Sequence, residues 1–456
     1  MIAIVGGGIS GLALAHALHE RGKRVLVLES QPRVGGAMRT TCRDGFLTEW
    51  GPNAFVDREP ATRTLVRALG LENQLRLAAP EAKQRFVYAR GALREVPLSP
   101  PALLRSKVLP LPAKLRLLGE LFSRRGDGGD ESLAEFSRRH LGRTATGVLT
   151  DAMQTGTFAG DIERLSAASS FPPLVELERA HRSLLWGALR ARKTQGSAAP
   201  DAASTGAMAS FEGGMETLPA AIARQLGDAV RSGAQVEALG YEGGRWRLSV
   251  REAGALATLE ADKVVLAVPA FAAAHLLFPL DAELAAELEG IEYAAIAEVH
   301  LGFRRSELAR RPRGFGFIVP ASLRRAVVGA IYVSAVFPWR APEEAELFTC
   351  LVGGALRGEV LNDDDEALFA SAGGALRELL GVTAPPLFRE LVRWPRGIPQ
   401  YNVGHLARLE RIDARLASHP GLTLTGNAYR GLGVNDCIRN AAALADRLTN
   451  APASLS

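Results

Sequence analysis

The stretch Ile2-Ala3-Ile4-Val5-Gly6-Gly7-Gly8-Ile9-Ser10-Gly11, followed after one helix by Val25-Leu26-Val27-Leu28-Glu29-Ser30, decides the fold of this chain. Four apolar residues suited to a buried strand run into a glycine turn, residues Ile9 to Arg21 read as a helix, and a second apolar run ends on an acid. That is a βαβ unit carrying the dinucleotide fingerprint. Residues without side chains let a pyrophosphate approach the N–H groups at the helix N-terminus, and Glu29 takes a ribose hydroxyl. Three glycines alone mark only a tight turn. The second pair in Arg33-Val34-Gly35-Gly36, placed just after the ribose acid, adds a close pass of backbone along the adenosine side, with an arginine able to face a phosphate. A plain nicotinamide fold has no need of that addition, so the expected cofactor is FAD.

At 456 residues with 47% hydrophobic content, the chain is too long for one simple core, and two or three domains are expected. The net charge of +5 rests mostly on arginine and forms no polybasic patch or nucleic-acid motif. Cys42, Cys350 and Cys437 are far apart and odd in number, which argues against a disulfide frame and a metal site. The eight histidines show no ligand or triad spacing, so His181 and His405 read as structural as readily as functional. The first strand starts at Ile2 and no later stretch holds about 20 uninterrupted apolar residues, so a cytoplasmic protein without a spanning helix is expected.

Further along, Gly51-Pro52-Asn53-Ala54 forms a turn whose amides can meet a flavin ring, and a helix follows around Pro60 to Leu69. Prolines at 97, 100, 101, 110 and 112 punctuate helical runs such as Ala113–Arg125 and Ser132–Leu141, and 193–209 reads as a loop without apolar period. Val236 falls on a short strand, Trp246–Val250 and Ala257–Glu260 form a hairpin, and Val264–Ala270 reads as a buried parallel strand. Alternating runs at 299–303, 314–319, 327–333 and 347–352 predict an antiparallel sheet able to wall a substrate cavity. Near the C-terminus a short strand ends at Gly426, and Gly431-Leu432-Gly433-Val434-Asn435-Asp436 enters a helix over Cys437–Leu448, with Asn435 or Asp436 as its cap. Its N-terminal dipole suits a reduced flavin, so both chain ends are expected to build one FAD site.

These motifs together with HRSLL at 181–185, GFGFIVP at 314–320, IPQYNVGH at 398–405 and GNAYRGLGVNDCIRNA at the tail make the chain resemble the flavin monoamine oxidase superfamily and, within it, the oxygen-dependent protoporphyrinogen oxidases. The resemblance spans nearly the whole chain. It implies an α/β and α+β multidomain fold: a Rossmann-like FAD-binding domain from 1–76, 208–275 and 404–449, an antiparallel-sheet substrate domain from 77–97 and 276–403, and a helical insertion, 98–207. Implied FAD contacts are Gly6, Gly8, Ile9, Ser10, Gly11, Glu29, Ser30, Arg33, Gly36, Ala37, Gly51, Pro52, Asn53, Ala54, Val236, Trp394, Gly426, Gly433, Val434 and Asn435. Implied substrate contacts are Arg85 for a propionate, with Met153, Gly156, Phe315, Gly316, Ile318, Leu351 and Ile398 as flat apolar walls. Read alone, Arg85 is a solvated cation and the apolar members are ordinary core.

The activity so implied is oxidation of protoporphyrinogen IX by O2, with the flavin accepting hydride and no side chain needed as a catalytic base. Oxidation of coproporphyrinogen III, an amine or carotenoid oxidase, and a non-catalytic porphyrin carrier are the alternatives. The family attaches to membranes through the helical insertion. Here Leu103, Leu104, Val108, Leu109, Leu111, Leu115, Leu117, Leu118, Leu121 and Phe122 interleave with Arg105, Lys107, Lys114, Arg116, Arg124 and Arg125, permitting a peripheral seat on the cytoplasmic face of the inner membrane. Direct hand-off to ferrochelatase and homodimerisation stay open.

Overall fold

In the computed structural model, which describes residues 1–97, 100–123, 126–181, 183, 184, 186, 187, 190 and 206–450, strand Ile2–Val5 lies at the centre of a five-stranded parallel sheet. Its neighbours are Val25–Glu29 and Lys263–Leu266, with Val230–Ser232 and Leu422–Leu424 outermost. The three central strands have every residue but Lys263 buried, as their unbroken apolar runs require of a sheet covered on both sides. On one side the helices Ile9–Glu20, Thr217–Leu226 and Val434–Asn450 share a core with Ile4, Val27 and Val265. On the other, the antiparallel strands Ala234–Glu242, Arg245–Glu252 and Ala255–Ala261 and the helices Ala270–Leu277, Ala282–Glu289 and His405–Leu416 cover Ala3, Val5, Leu26 and Leu28.

The second large sheet has seven strands, in the order Phe388–Pro399, Tyr293–Arg304, Ala345–Gly353, Val327–Tyr332, Gly316–Ile318, Phe86–Ala89 and Ala92–Glu95. It is antiparallel except at one junction, where Gly316–Ile318 pairs in parallel with Phe86–Ala89. The runs of alternating residues do not reveal this pairing, because the two edges come from segments more than 200 positions apart. Strand 314–319 is also shorter than expected, since Gly314 turns the chain with φ +94°. Along Tyr293–Arg304 the odd members Ala297, Val299, Leu301 and Phe303 pack on helix Asp365–Leu380. Ile296, Glu298, His300 and Gly302 therefore occupy the opposite face. There Gly302, lacking Cβ, admits the ring of Phe46 at the start of strand Phe46–Glu49.

Between these sheets in sequence lie Pro100–Arg105, Leu111–Leu118, Leu133–Leu141, Asp151–Phe158, Ala167–Ser170 and Pro172–His181, all helical. Ser132 and Glu135 form a reciprocal capping box on the third. The helix expected over Ala113–Arg125 stops being α-helical at Leu118, and a tighter 3-10 turn covers Gly119–Phe122. Arg124, Arg125, Arg182 and Leu185 fall outside the described residues, as do 193–205 of the expected loop. The last two positions of that loop belong instead to strand Met208–Phe211, which pairs with Phe55–Val56 and Leu75–Leu77.

Candidate active site

Helix Ile9–Glu20 begins with neither a side-chain cap nor an acid in its first turn, leaving its leading N–H groups to a ligand. A Cβ on Gly8 would meet no protein atom within 4 Å, whereas one on Gly11 would lie 2.1 Å from the Gly6 carbonyl oxygen. Gly6, at φ +108°, would place its Cβ 2.6 Å from the Ala267 oxygen. Two of these glycines close the turn onto the sheet, and the third opens it outward. The Gly7 N–H donates to Glu29 Oε2 at 2.7 Å, and Glu29 Oε1 accepts from Gln31 N–H at 2.8 Å. Ser30 Oγ lies 3.3 Å from that same oxygen.

Segment 33–37 runs alongside this turn, with the Gly35 N–H donating to Gly7 O at 2.8 Å. Gly36 is close enough that a Cβ on it would come 3.3 Å from Gly8 Cα, and Gly51 abuts Ala37. Arg33, expected to face a phosphate, is instead ion-paired with Glu216, which also accepts the Thr40 N–H at 2.9 Å. The tail joins the same place. Ser10 hydrogen-bonds the Cys437 thiol, and the Asn435 side chain accepts from Thr62 and donates to Val56 O, each at 2.8 Å. Burial pushes that thiol up to about 11, which keeps it an inert core group. The tail helix begins at Val434, so neither Asn435 nor Asp436 is its N-cap; both lie in its first turn, where Asp436 Oδ2 accepts from the Gly433 N–H at 3.1 Å. Gly426, at φ +139°, precedes a loop held by the Tyr401 hydroxyl, which donates to Asn427 O at 2.5 Å, and by His405, which bonds Tyr429 O at 3.0 Å. Burial lowers the His405 pKa, so this histidine is a neutral structural donor. Val236 packs in the apolar layer with Leu26 and Leu28.

The turn Gly51–Ala54 is the joint between the two sheets. The Trp394 indole N–H donates to Trp50 O at 2.6 Å, and Ala54 packs in one cluster with Phe315, Ile331 and Trp339. Arg340, fully buried, donates to Glu49 Oε1 at 2.6 Å, to Asn53 O at 3.1 Å and to Ser210 Oγ at 2.6 Å. Glu49 also accepts from Met215 N–H at 2.9 Å and from Thr40 Oγ1 at 2.7 Å. Burial outweighs these partners and pushes the Glu49 carboxyl up to about 7. Two residues from the wall strand join this polar core. His300 contacts Thr349 Oγ1 at 2.9 Å through Nδ1, and burial lowers it to about 3; Glu298 is held well above the usual carboxylate range by burial and then by Glu49.

None of Arg340, Glu49, Glu298 and His300 was among the residues singled out from sequence. The available signal was two polar residues, Glu298 and His300, spaced by two inside an otherwise apolar strand.

The expected substrate positions fall in two groups. Leu351 and Ile398 pack with Trp394, an expected FAD contact, around Ile296, Val328 and Ala159. Phe315 and Ile318 flank the short strand: the Arg85 guanidinium lies 5.1 Å over the Phe315 ring, and a Cβ on Gly156 would sit 2.7 Å from Ile318 Cδ1. Gly316 could carry no side chain, since its Cβ would lie 2.0 Å from Ala330 O. Met153 is 40% exposed one helical turn before Thr157. Arg85 is exposed and has no carboxylate partner among the described residues. Cavities of about 160 and 620 Å³ lie beyond these residues, one lined by Glu131, Glu178 and Arg179, the other by Arg94, Glu95 and Lys107.

A nucleotide cradle built from both chain ends, joined by one turn to an apolar sheet wall, defines a dinucleotide-dependent oxidoreductase. The chain belongs to the flavin-containing amine oxidoreductase family, whose model matches residues 9–449. It is 34% identical to the protoporphyrinogen oxidase of Bos taurus and 30% identical to the coproporphyrinogen III oxidase of Bacillus subtilis (strain 168), covering 98% of each chain in both cases. A crystal structure of a protein from Exiguobacterium sp. 255-15 is similar with TM-score 0.84 at 27% identity, over 98% of both chains. The chain is thus a flavoprotein oxidoreductase, and FAD is its cofactor. The open Gly8, the uncapped helix and the Glu29 carboxylate fit that group.

Proposed function

We propose that this enzyme oxidises protoporphyrinogen IX to protoporphyrin IX with O2. Bound FAD supplies the acceptor for a hydride leaving a bridging carbon of the macrocycle, and three such steps with O2 account for six electrons and three H2O2. The chain supplies orientation and dryness. Arg85 pairs with a propionate, while Phe315, Ile318, Leu351 and Ile398 present a flat apolar surface, with Gly156 and Gly316 letting Ile318 and the neighbouring strand Val327–Tyr332 pack close. The observation that carries the substrate class is Arg85 itself, a cation stacked on an aromatic wall with no carboxylate partner among the described residues. Four propionates, as in coproporphyrinogen, call for further cations besides Arg85. The bovine relative, at 34% identity, bears the matching name, and the Bacillus subtilis relative names the alternative.

Product fluorescence with each porphyrinogen tests the choice: faster turnover of coproporphyrinogen overturns it. Anaerobic bleaching of bound flavin by either substrate separates an enzyme from a carrier.

The site residues named above and the three-part domain division belong to the same proposal, as does a peripheral membrane seat. Leu111, Leu115 and Leu118 form an exposed apolar line, 54–68% accessible, on the helix whose other side buries Ala113 and Leu117. Among the described residues no helix is long and apolar enough to cross a membrane. Flotation with anionic vesicles should carry the protein upward, and Leu115→Asp should leave most of it unbound.

A further inference from the structure

Glu298 is 6% exposed, and its Oε2 is buried with no hydrogen-bond partner among the described residues. Such a carboxyl is costly inside a sheet wall and calls for a reason. Its position supplies one. Directly across the ladder from Glu298 stand Leu351 on one side and Val392 on the other, so their side chains share a face. Two residues earlier Ile296 pairs with Trp394, whose indole holds Trp50 at the entrance of the cofactor turn. Glu298 is thus a buried acid on the wall where the proposed substrate residues Leu351 and Ile398 gather with Trp394 around Ile296.

We propose that Glu298 is the proton carrier of the reaction, an inference that rests on porphyrinogen oxidation as the activity. Loss of hydride leaves the macrocycle cationic, and its charge is relieved when a pyrrole N–H proton departs. Oxygen, the oxidant, gains the hydride's two electrons and one hydrogen and needs one further proton to become H2O2. Glu298 joins the two demands. Its O–H bond breaks as the peroxide O–H forms; the carboxylate left beside the cation then takes the pyrrole proton, so N–H breaks and the carboxyl O–H is restored. Electrons and protons balance over each turn, and the cycle opens and closes on the neutral acid. Burial holds Glu298 in that neutral form, with the nearby charge of Glu49 adding to the effect. The other titratable and charged groups near it among the described residues are His300, two residues along the strand and neutral, Glu390, which stands across from His300 and accepts from the Thr48 hydroxyl, and Arg340, which is committed to Glu49. Thr349, Leu351 and Val392 add no charge.

The test compares wild type with Glu298→Gln, Glu298→Leu and Glu298→Asp as FAD-loaded enzyme. In stopped flow, reoxidation of photoreduced protein by O2 needs no porphyrinogen and should slow about tenfold to a hundredfold in the Gln and Leu variants, with the Asp variant partly restored. The infrared band of a protonated carboxyl that shifts on photoreduction should vanish in the Gln variant. Porphyrinogen KM should stay near the wild-type value while kcat falls. Wild-type reoxidation rates together with an unchanged carboxyl band in Glu298→Gln overturn the proposal. A wild type inert to both porphyrinogens sinks the substrate reading instead, and the photoreduced arm still decides Glu298. Replacing the buried acid by leucine removes an unpaired polar group, so a folded protein is expected from at least one variant.

Discussion

Replacing Arg340 by methionine should cost far more stability at pH 8 than at pH 5.5. The guanidinium is fully buried and holds Glu49, Ser210 and Asn53. Breaking a buried ion pair from one side costs about 3–5 kcal/mol when the remaining charge stays ionised. Glu49 titrates near 7, above the ordinary 4.5, because burial outweighs its donors. A carboxyl raised in the folded state gives stability that is complete below the unfolded value and is lost as pH climbs through the folded one. Without Arg340 that folded value rises further, so the loss continues past pH 7. At pH 5.5 Glu49 already carries its proton, and the variant forfeits only the bonds to Ser210 and Asn53, about 1–2 kcal/mol. At about 2 °C per kcal/mol for a chain this large, the melting temperature should fall by about 6–10 °C at pH 8 and about 2–4 °C at pH 5.5. The fluorescence of released FAD reports the melt. Adding Glu49→Gln should recover at least half of the loss at pH 8, since a neutral amide needs no cation. Equal losses at the two pH values, or no recovery in the double variant, would refute the assignment of Glu49 as the group left stranded.

Two further outcomes separate fold from cofactor and cofactor from substrate. Gly11→Ala should fail to give folded protein, because its Cβ meets backbone at 2.1 Å, whereas Gly8→Ala should fold and melt normally yet bind FAD at least about tenfold more weakly, measured by flavin titration of the apoprotein. Arg85→Ala should raise porphyrinogen KM about tenfold to a hundredfold with flavin content unchanged, since a charge-assisted pair of about 1.5–3 kcal/mol is lost; an unaltered KM would return Arg85 to the status of a solvated cation.

What could be read from the sequence was whatever depends on short-range pattern. The glycine turn, the strand ending at Glu29 and the buried run from Val264 are local signals; the first two appear where expected, while the third is a strand only over Lys263–Leu266, because Pro269 caps a helix that starts at Ala270 and takes the end of the apolar run. The helix caps and edges were less legible because they depend on tertiary partners. Asn435 looks like a cap in sequence, but bonds to Thr62 and Val56 draw it into the first turn of the helix. Arg33 reads in sequence as a cation for a phosphate, but Glu216, more than 180 residues away, pairs with its guanidinium. The parallel pairing of Gly316–Ile318 with Phe86–Ala89 joins distant edges and leaves no trace in either segment's alternation. Arg340 was invisible for the same reason: nothing near Pro338 announces that a fully buried cation there will meet an acid from strand Phe46–Glu49.

A wall meant only to hold an oily ring would be served by aliphatic side chains throughout, and burying Glu298, His300, Glu49 and Arg340 costs more than such packing would. Their arrangement favours function over economy. Arg340 and Glu49 hold the turn Gly51–Ala54 between the sheets, which lets the nucleotide cradle and the apolar wall keep one geometry although they come from segments scattered along the chain. Asn53, anchored through its carbonyl, inherits that rigidity. Glu298, on the wall strand, makes none of the hydrogen bonds that fix the turn, so its proton is free to move while the Glu49 carboxyl is held by Arg340, Met215 and Thr40. One polar core thereby divides into a fixed half that sets position and a labile half that can follow the chemistry.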